Sequence, residues 1–263
     1  MRSIHLEHLR PGEAVAAMEQ CPVVFVPIGP LEWHGPHLPL GMDPLNAAAI
    51  SAAVCLEVGG VVYPTLYFGT ERERSPGMLR NIGFGGDEWV VGMDFPANGM
   101  PSLYNEEAAF AITMRSVLDN LVRVGYKLIV LVNGHGGENH IVQLERLAAE
   151  YSAKGPARVY YTTTTFLPSD EHDYGHATRV ETAIMRHLFD ENVDVATLPA
   201  QGALKNLDFA IVDDLTFRGR PTPDYTVRDD PRDATPELGA RCVENSVRVI
   251  GERVRKVMEE MNQ

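Results

Sequence analysis

The segment Glu32-Trp33-His34-Gly35-Pro36-His37, followed by Asp43, crowds carboxylates and imidazoles into one short stretch. If the backbone stays extended there, Glu32 and His34 lie two residues apart and face the same side, where a carboxylate and an imidazole can share a metal ion. Asp43 precedes Pro44 and an Ala-rich run, so it reads either as a helix N-cap or as a returning ligand, and a carboxylate has lone pairs for both tasks. A second cluster, Asn133-Gly134-His135-Gly136-Gly137-Glu138-Asn139, places glycines on both sides of His135, which lets the chain turn sharply and approach a ligand closely. The third is Gly175-His176-Ala177, followed by Glu181-Thr182. Glu32, Asp43, Glu138 and Glu181 with His34, His135 and His176 offer oxygen and nitrogen donors without thiolate, a mixture suited to Zn, Mn or Fe in a hydrolytic site. Two ions side by side need a bridging carboxylate, and Asp43 is the natural candidate because it arrives from a different turn than Glu32 and His34.

The elements that must hold these clusters follow from the apolar pattern. Buried strands are predicted at 22–28, 61–68, 127–132 and 158–166, with helices at 44–57, 105–124, about 140–153 and 179–190. A last helix begins at Thr235-Pro236-Glu237, an N-cap followed by proline at the first helical position, and carries Val243, Val247, Ile250, Val254 and Val257 on one face. Strands alternating with helices predict an α/β fold with a mostly parallel sheet. Each cluster then falls just beyond the C-terminal end of a strand or at the start of the following helix, the edge where open α/β sheets bind ligands. Two segments break the rhythm: 69–103, with the charged run Glu71-Arg72-Glu73-Arg74, and 205–234, dense in Asp, Arg and Pro; both read as long loops.

The whole chain, 1–263, reads as one domain of 263 residues. Its 23 Lys and Arg against 36 Asp and Glu give a net charge of −13, which disfavours nucleic acid and anionic lipid as partners. No run of about 18 apolar residues exists for a membrane span, and the N-terminus lacks the apolar stretch of a signal peptide, so a cytoplasmic protein is expected. Cys21, Cys55 and Cys242, odd in number and far apart, read as reduced core thiols.

Taken together, the run from Pro27 to Leu40, then Asp43, then the NGHGG of 133–137, then His176 and Glu181-Thr182, resembles the creatininase (creatinine amidohydrolase) family. The likeness runs from about residue 20 to residues 239–242 and includes Asp230-Pro231-Arg232-Asp233-Ala234. It implies a three-layer α/β/α fold and an enzyme with two divalent metal ions, in which Glu32 and His135 hold one ion, His34 the other, and Asp43 bridges. Creatininase itself supplies a further carboxylate two positions after the motif histidine, where this chain has Gly137; Glu181 is the first choice to replace it and Glu138 the second. His176 matches a family histidine placed for proton transfer to the leaving atom.

Departures from the family pattern bear on the substrate. Arg72 and Ser75-Pro76-Gly77-Met78 stand where the family often carries a His and a Phe-Pro-Gly-Thr element, and His172 stands where creatininase has a tryptophan. With only Trp33 and Trp89 in the chain, an aromatic lid for creatinine is not evident, while Arg72 and Arg74 suit a hydroxylated or anionic compound. The expectation is hydrolysis of a C–N bond in a small cyclic amide or formamide, with ring opening at a C–C bond of a keto-cyclitol or sugar-like compound as the rival. A peptide-trimming peptidase and a non-catalytic binding protein stand further back. The resemblance also implies a homo-oligomer, such as a hexamer.

Overall fold

The computed structural model describes residues 3–81, 84–94, 100–172, 175–198, 200, 204–207, 210–213 and 229–263. Five strands, β1 (Val23–Gly29), β2 (Val61–Val62), β3 (Leu66–Tyr67), β4 (Leu128–Asn133) and β5 (Arg158–Thr163), form one sheet of order β2-β1-β4-β5, with β3 pairing further along β1. Every pairing in it is parallel. The single strand expected over 61–68 is two, because Pro64 lacks an N–H and interrupts the ladder between Val62 and Leu66. The strand expected over 158–166 ends at Thr163.

Side chains alternate across the sheet with the period of two that a pleated strand imposes. Val24, Val26 and Ile28 of β1, with Ile129 and Leu131 of β4, pack under one layer of helices: α1 (Pro11–Gln20), α4 (Glu107–Val124) and α5 (Glu138–Lys154). The complementary set, Val23, Phe25, Leu128, Val130 and Val132, meets α2 (Met42–Val58) and α7 (Pro236–Met261) on the other face. The result is the expected three-layer α/β/α arrangement. In α7 the cap is as read from sequence: Thr235 Oγ1 accepts the Leu238 N–H at 3.2 Å and Pro236 opens the helix, while Val247, Ile250, Val254 and Val257 are buried. A short helix, α3 (Pro76–Asn81), lies within the segment expected to be a loop from 69 to 103. α6 (Arg179–Phe189) packs on α7 through Val180, Ala183, Ile184, Leu238 and Cys242. The expected loop over 205–234 overlaps an antiparallel hairpin, β6 (Leu204–Leu207) with β7 (Ala210–Asp213), and ends in a turn over Pro231–Asp233; residues 214–228 lie outside the described residues. No described helix is long and apolar enough to cross a membrane.

Topology places the site. The chain leaves β1 into α2 on one face of the sheet and leaves β4 into α5 on the other. β1 and β4 are neighbours, so their C-terminal ends part and open a crevice between them, the switch point of an open α/β sheet.

Candidate metal centre

Four stretches of chain converge in that crevice: the segment after β1, the first turn of α2, the segment after β4, and the segment leading into the first turn of α6. His34 Nδ1–H donates to the Glu32 main-chain carbonyl at 3.0 Å, which leaves Nε2 facing Asp43 Oδ1 at 3.1 Å. His135 Nδ1 lies 3.0 Å from Glu32 Oε2 and 3.1 Å from Asp43 Oδ2. Asp43 therefore presents one oxygen to each imidazole. Asp43 is not the N-cap: α2 starts at Met42 after Gly41, and Asp43 sits inside the first turn with both oxygens turned to the histidines. Gly134 permits this approach, since a Cβ there would overlap the Asp43 carbonyl oxygen. Asn133 braces the His135 turn, accepting its N–H at 2.9 Å and donating to its carbonyl at 2.7 Å.

The remaining donors close the ring. Glu181, in the first turn of α6, accepts the Ala177 N–H with Oε2 and joins His34 and Asp43 as a group whose ligand atoms lie within 4.8 Å of one another. Glu32, Asp43 and His135 form a second such group, and Glu32, His34 and His176 a third. His176 Nε2–H donates to the Trp33 carbonyl at 2.6 Å, its ring rests 4.1 Å from that of His34, and its Nδ1 lies 3.9 Å from Glu32 Oε2. Glu138 is elsewhere: it is exposed and pairs with Arg72 at 3.4 Å, so the geometry gathers Glu181 with the cluster and leaves Glu138 out.

Electrostatics reflect the crowding. Burial opposes charge on His34, but Asp43, Glu181 and Glu32 outweigh it and lift the imidazole to about 10. Burial likewise opposes charge on His135, yet Glu32 and Asp43 hold it well above the ordinary histidine range. Glu32 is buried too, and His135, His176 and His34 keep its carboxylate well below the usual range. His176 goes the other way: burial, reinforced by His34, depresses it to about 4, so it is neutral near pH 7. Burial, with His34 and His176, lowers His37 to about 3.

These shifts set the pH response of the metal-free fold. His34 is raised from 6.5, so the stability it contributes is complete below pH 6.5 and is lost as pH rises towards 10. His176 and His37 are lowered from 6.5, so their contribution is complete above pH 6.5 and is lost as pH falls towards 4 and 3. Thermal melts of chelator-treated protein are expected to peak near the common starting value of 6.5 and decline on both sides. An alkaline limb that stays flat to pH 10 would show that His34 is not held as a cation by its carboxylates.

A cavity of about 320 Å³ opens on the cluster, lined by Glu32, Asp43, Glu71, His135, His176 and Glu181 among others. Among the described residues its lining has four carboxylates and neither Lys nor Arg, a balance suited to a cation. An adjoining groove of about 700 Å³ shares Glu32 and Glu71 and adds Arg72, Glu73, Arg74 and Ser75. Arg72 is half exposed there, whereas Arg74 is buried and donates to the Gly92 carbonyl at 2.7 Å. His172 is exposed and does not line the 320 Å³ cavity.

Three participants escaped the sequence reading. Tyr104 donates its hydroxyl proton to Glu32 Oε1, and burial together with that carboxylate raises the phenol well above its ordinary value. His140 packs edge-on against the His135 ring at 5.1 Å, and Glu71 reaches within 3.7 Å of His135 Nε2. A lone tyrosine in a loop carries no sequence signal, and Glu71 was hidden inside a charged run that reads as surface.

A parallel α/β sheet with buried imidazoles and carboxylates gathered at its switch point defines an α/β protein built around a polar, cation-seeking centre. The chain belongs to the creatininase family, whose model, described as creatinine amidohydrolase, matches residues 7–254. It is 32% identical over 123 residues to the creatinine amidohydrolase of Pseudomonas putida, covering 47% of this chain and 40% of that protein. It is 30% identical over 181 residues to the mycofactocin precursor peptide peptidase of Mycolicibacterium smegmatis, covering 65% and 60%. To the 3-dehydro-scyllo-inosose hydrolase of Thermotoga maritima it is 26% identical over 121 residues, covering 46% and 32%. The matched stretches thus span between about a third and 60% of these relatives' own lengths. A crystal structure of creatinine amidohydrolase shares the fold with a TM-score of 0.68 at 22% identity, covering 97% of this chain and 98% of the other.

Proposed function

We propose that the chain is a metal-dependent hydrolase that cleaves a C–N bond in a small cyclic amide or formamide other than creatinine. The observation that carries this is the pair of three-residue groups sharing Asp43: Glu32 and His135 with it on one side, His34 and Glu181 on the other. These residues suit two divalent ions of the Zn, Mn or Fe kind, because all donors are oxygen or imidazole nitrogen and, among the described residues, no Lys or Arg lines the cavity to compete. When bound, such ions would acidify a water molecule and polarise the substrate carbonyl.

The chain's own groups do the rest. Tyr104 fixes one Glu32 oxygen and leaves the other directed at the centre. Trp33 holds His176 in the tautomer with Nε2 protonated, so Nδ1 is the atom free to act on the cavity side. A neutral His176 takes the proton released by the attacking water on Nδ1 and delivers it to the departing nitrogen, a role in general acid–base catalysis worth about 10²–10⁴-fold.

A second reading rests on the groove. Arg72 and Ser75 line it with hydrogen-bond donors, which suits a hydroxylated ring such as a keto-cyclitol opened at a C–C bond. The test is a turnover screen of cyclic amides, formamides, keto-cyclitols and short peptides with protein supplied with Zn or Mn, alongside elemental analysis. About two metal equivalents and turnover abolished by chelation are expected. Undiminished turnover after complete chelation would reject the scheme, and turnover confined to keto-cyclitols would select the second reading.

A further inference from the structure

The imidazole of His135 has a second nitrogen that the centre described above does not use. Nδ1 faces Glu32 and Asp43, while Nε2 is buried and finds no hydrogen-bond partner among the described residues. A histidine that gives one nitrogen to a metal ordinarily donates the other N–H to a carboxylate, a carbonyl or water. The nearest carboxylate is Glu71, whose Oε2 stands 3.7 Å from His135 Nε2 with only 17% of its side chain exposed.

Glu71 is held in that position from behind. Gly69 and Asn105 pin the chain before it, with Asn105 N–H donating to the Gly69 carbonyl at 2.7 Å and Asn105 Oδ1 accepting the Gly69 N–H at 3.3 Å. His140 Nδ1, in the first turn of α5, accepts the Thr70 N–H at 3.3 Å. Glu71 Oε1 accepts the Arg72 N–H at 2.7 Å, which turns Oε2 inward. The Arg72 guanidinium reaches Glu138 instead, at 3.4 Å, so a surface pairing of Glu71 with its neighbour does not account for the arrangement.

Gly137 supplies the independent observation. Its φ of −58° and ψ of 127° are open to any residue, so no backbone strain demands glycine there. A Cβ at residue 137, however, would overlap His135 Nε2 and stand 2.5 Å from Glu71 Oε2. The space that a side chain at 137 would fill is occupied by the meeting of Glu71 and His135.

From this the geometry points to Glu71 as a positioning residue that receives the Nε2–H of His135, fixing the ring so that Nδ1 carries the lone pair directed at Glu32 and Asp43. This rests on the metal reading above. The present separation of 3.7 Å must shorten by about 0.8 Å to give a charge-assisted hydrogen bond. Burial supplies a reason to do so, since it raises the Glu71 carboxyl and a donor from His135 would relieve that cost.

The experiment measures Zn²⁺ affinity by competition with a chromophoric chelator for wild type, Glu71→Gln and Glu71→Ala, with ¹⁵N NMR of the His135 ring in each. Glu71→Ala is expected to weaken binding by about 10–100-fold and to mix the two His135 tautomers. Glu71→Gln, whose amide oxygen still accepts the N–H, is expected to keep the tautomer and recover most of the affinity. Affinity within threefold of wild type in Glu71→Ala, with the tautomer unchanged, overturns the inference alone. Loss of one whole metal equivalent in Glu71→Ala would make Glu71 a direct ligand and overturn the positioning role. A wild-type chain that takes up no Zn²⁺ overturns the metal reading, and this inference with it.

Discussion

Asp43→Asn is expected to remove most of the bound metal and to lower turnover by at least about 10³-fold, the scale on which positioned electrostatic groups act. Asp43 is the one side chain common to both donor groups, with Oδ1 at 3.1 Å from His34 and Oδ2 at 3.1 Å from His135. The amide keeps the shape but loses the charge, and its NH₂ can face only hydrogen-bond acceptors. One of the two imidazoles therefore loses its partner, and whichever ion depended on that oxygen is released. Elemental analysis of the purified variant checks this directly, and the metal-free melting curve separates loss of metal from loss of fold. Breaking a buried pair typically costs about 3–5 kcal/mol, so the metal-free variant should melt well below metal-free wild type. A variant retaining both equivalents and ordinary turnover would remove Asp43 from the bridging position.

His176→Gln should behave in the opposite manner: metal content unchanged, kcat lower by about 10²–10⁴-fold. The distinction follows from the two ring nitrogens. Nε2 is committed to the Trp33 carbonyl at 2.6 Å, and Nδ1 is the one free to carry a proton. Because burial and His34 hold the metal-free ring at about 4, it is unprotonated at pH 7 and is available to act first as a base. Glutamine can keep the bond to Trp33 but has no nitrogen that accepts and returns a proton. Single-turnover kinetics with elemental analysis on the same sample decides the matter. If metal is lost with the histidine, the group of Glu32, His34 and His176 is a set of ligands and the proton carrier must be sought elsewhere.

The layers and the edge where the residues gather were legible in the sequence because they follow from short-range rules. Continuous apolar runs over 22–28 and 127–132, the cap at Thr235 and the helical spacing of Val247, Ile250, Val254 and Val257 are local patterns, and the bounds of the expected helices differ from those observed by no more than two residues. Strand 61–68 failed where a proline had to be weighed against an apolar run. Within the centre, Glu32, His34, Asp43, His135, His176 and Glu181 come together as the clusters suggested. The alternative Glu138 is exposed on α5, and its side chain reaches Arg72 rather than the crevice. Reading Asp43 as an N-cap gave way to a tertiary demand, the two imidazoles that claim its oxygens. Tyr104 and Glu71 were invisible for a common reason: each contributes through a partner remote in sequence, Glu32 for the first and His135 for the second.

The convergence of four crossings of the chain on one crevice also bears on durability. Asp43 of α2 and Glu181 of α6 fall in one donor group, and their segments also meet through Leu38, Met42, Ala177 and Met185. An ion held by that group would act as a rivet, closing the long intervening stretch of chain and slowing the first detachment of the α6 end from the sheet. The lifetime of the intact molecule against proteases would then become a function of how much divalent cation surrounds it.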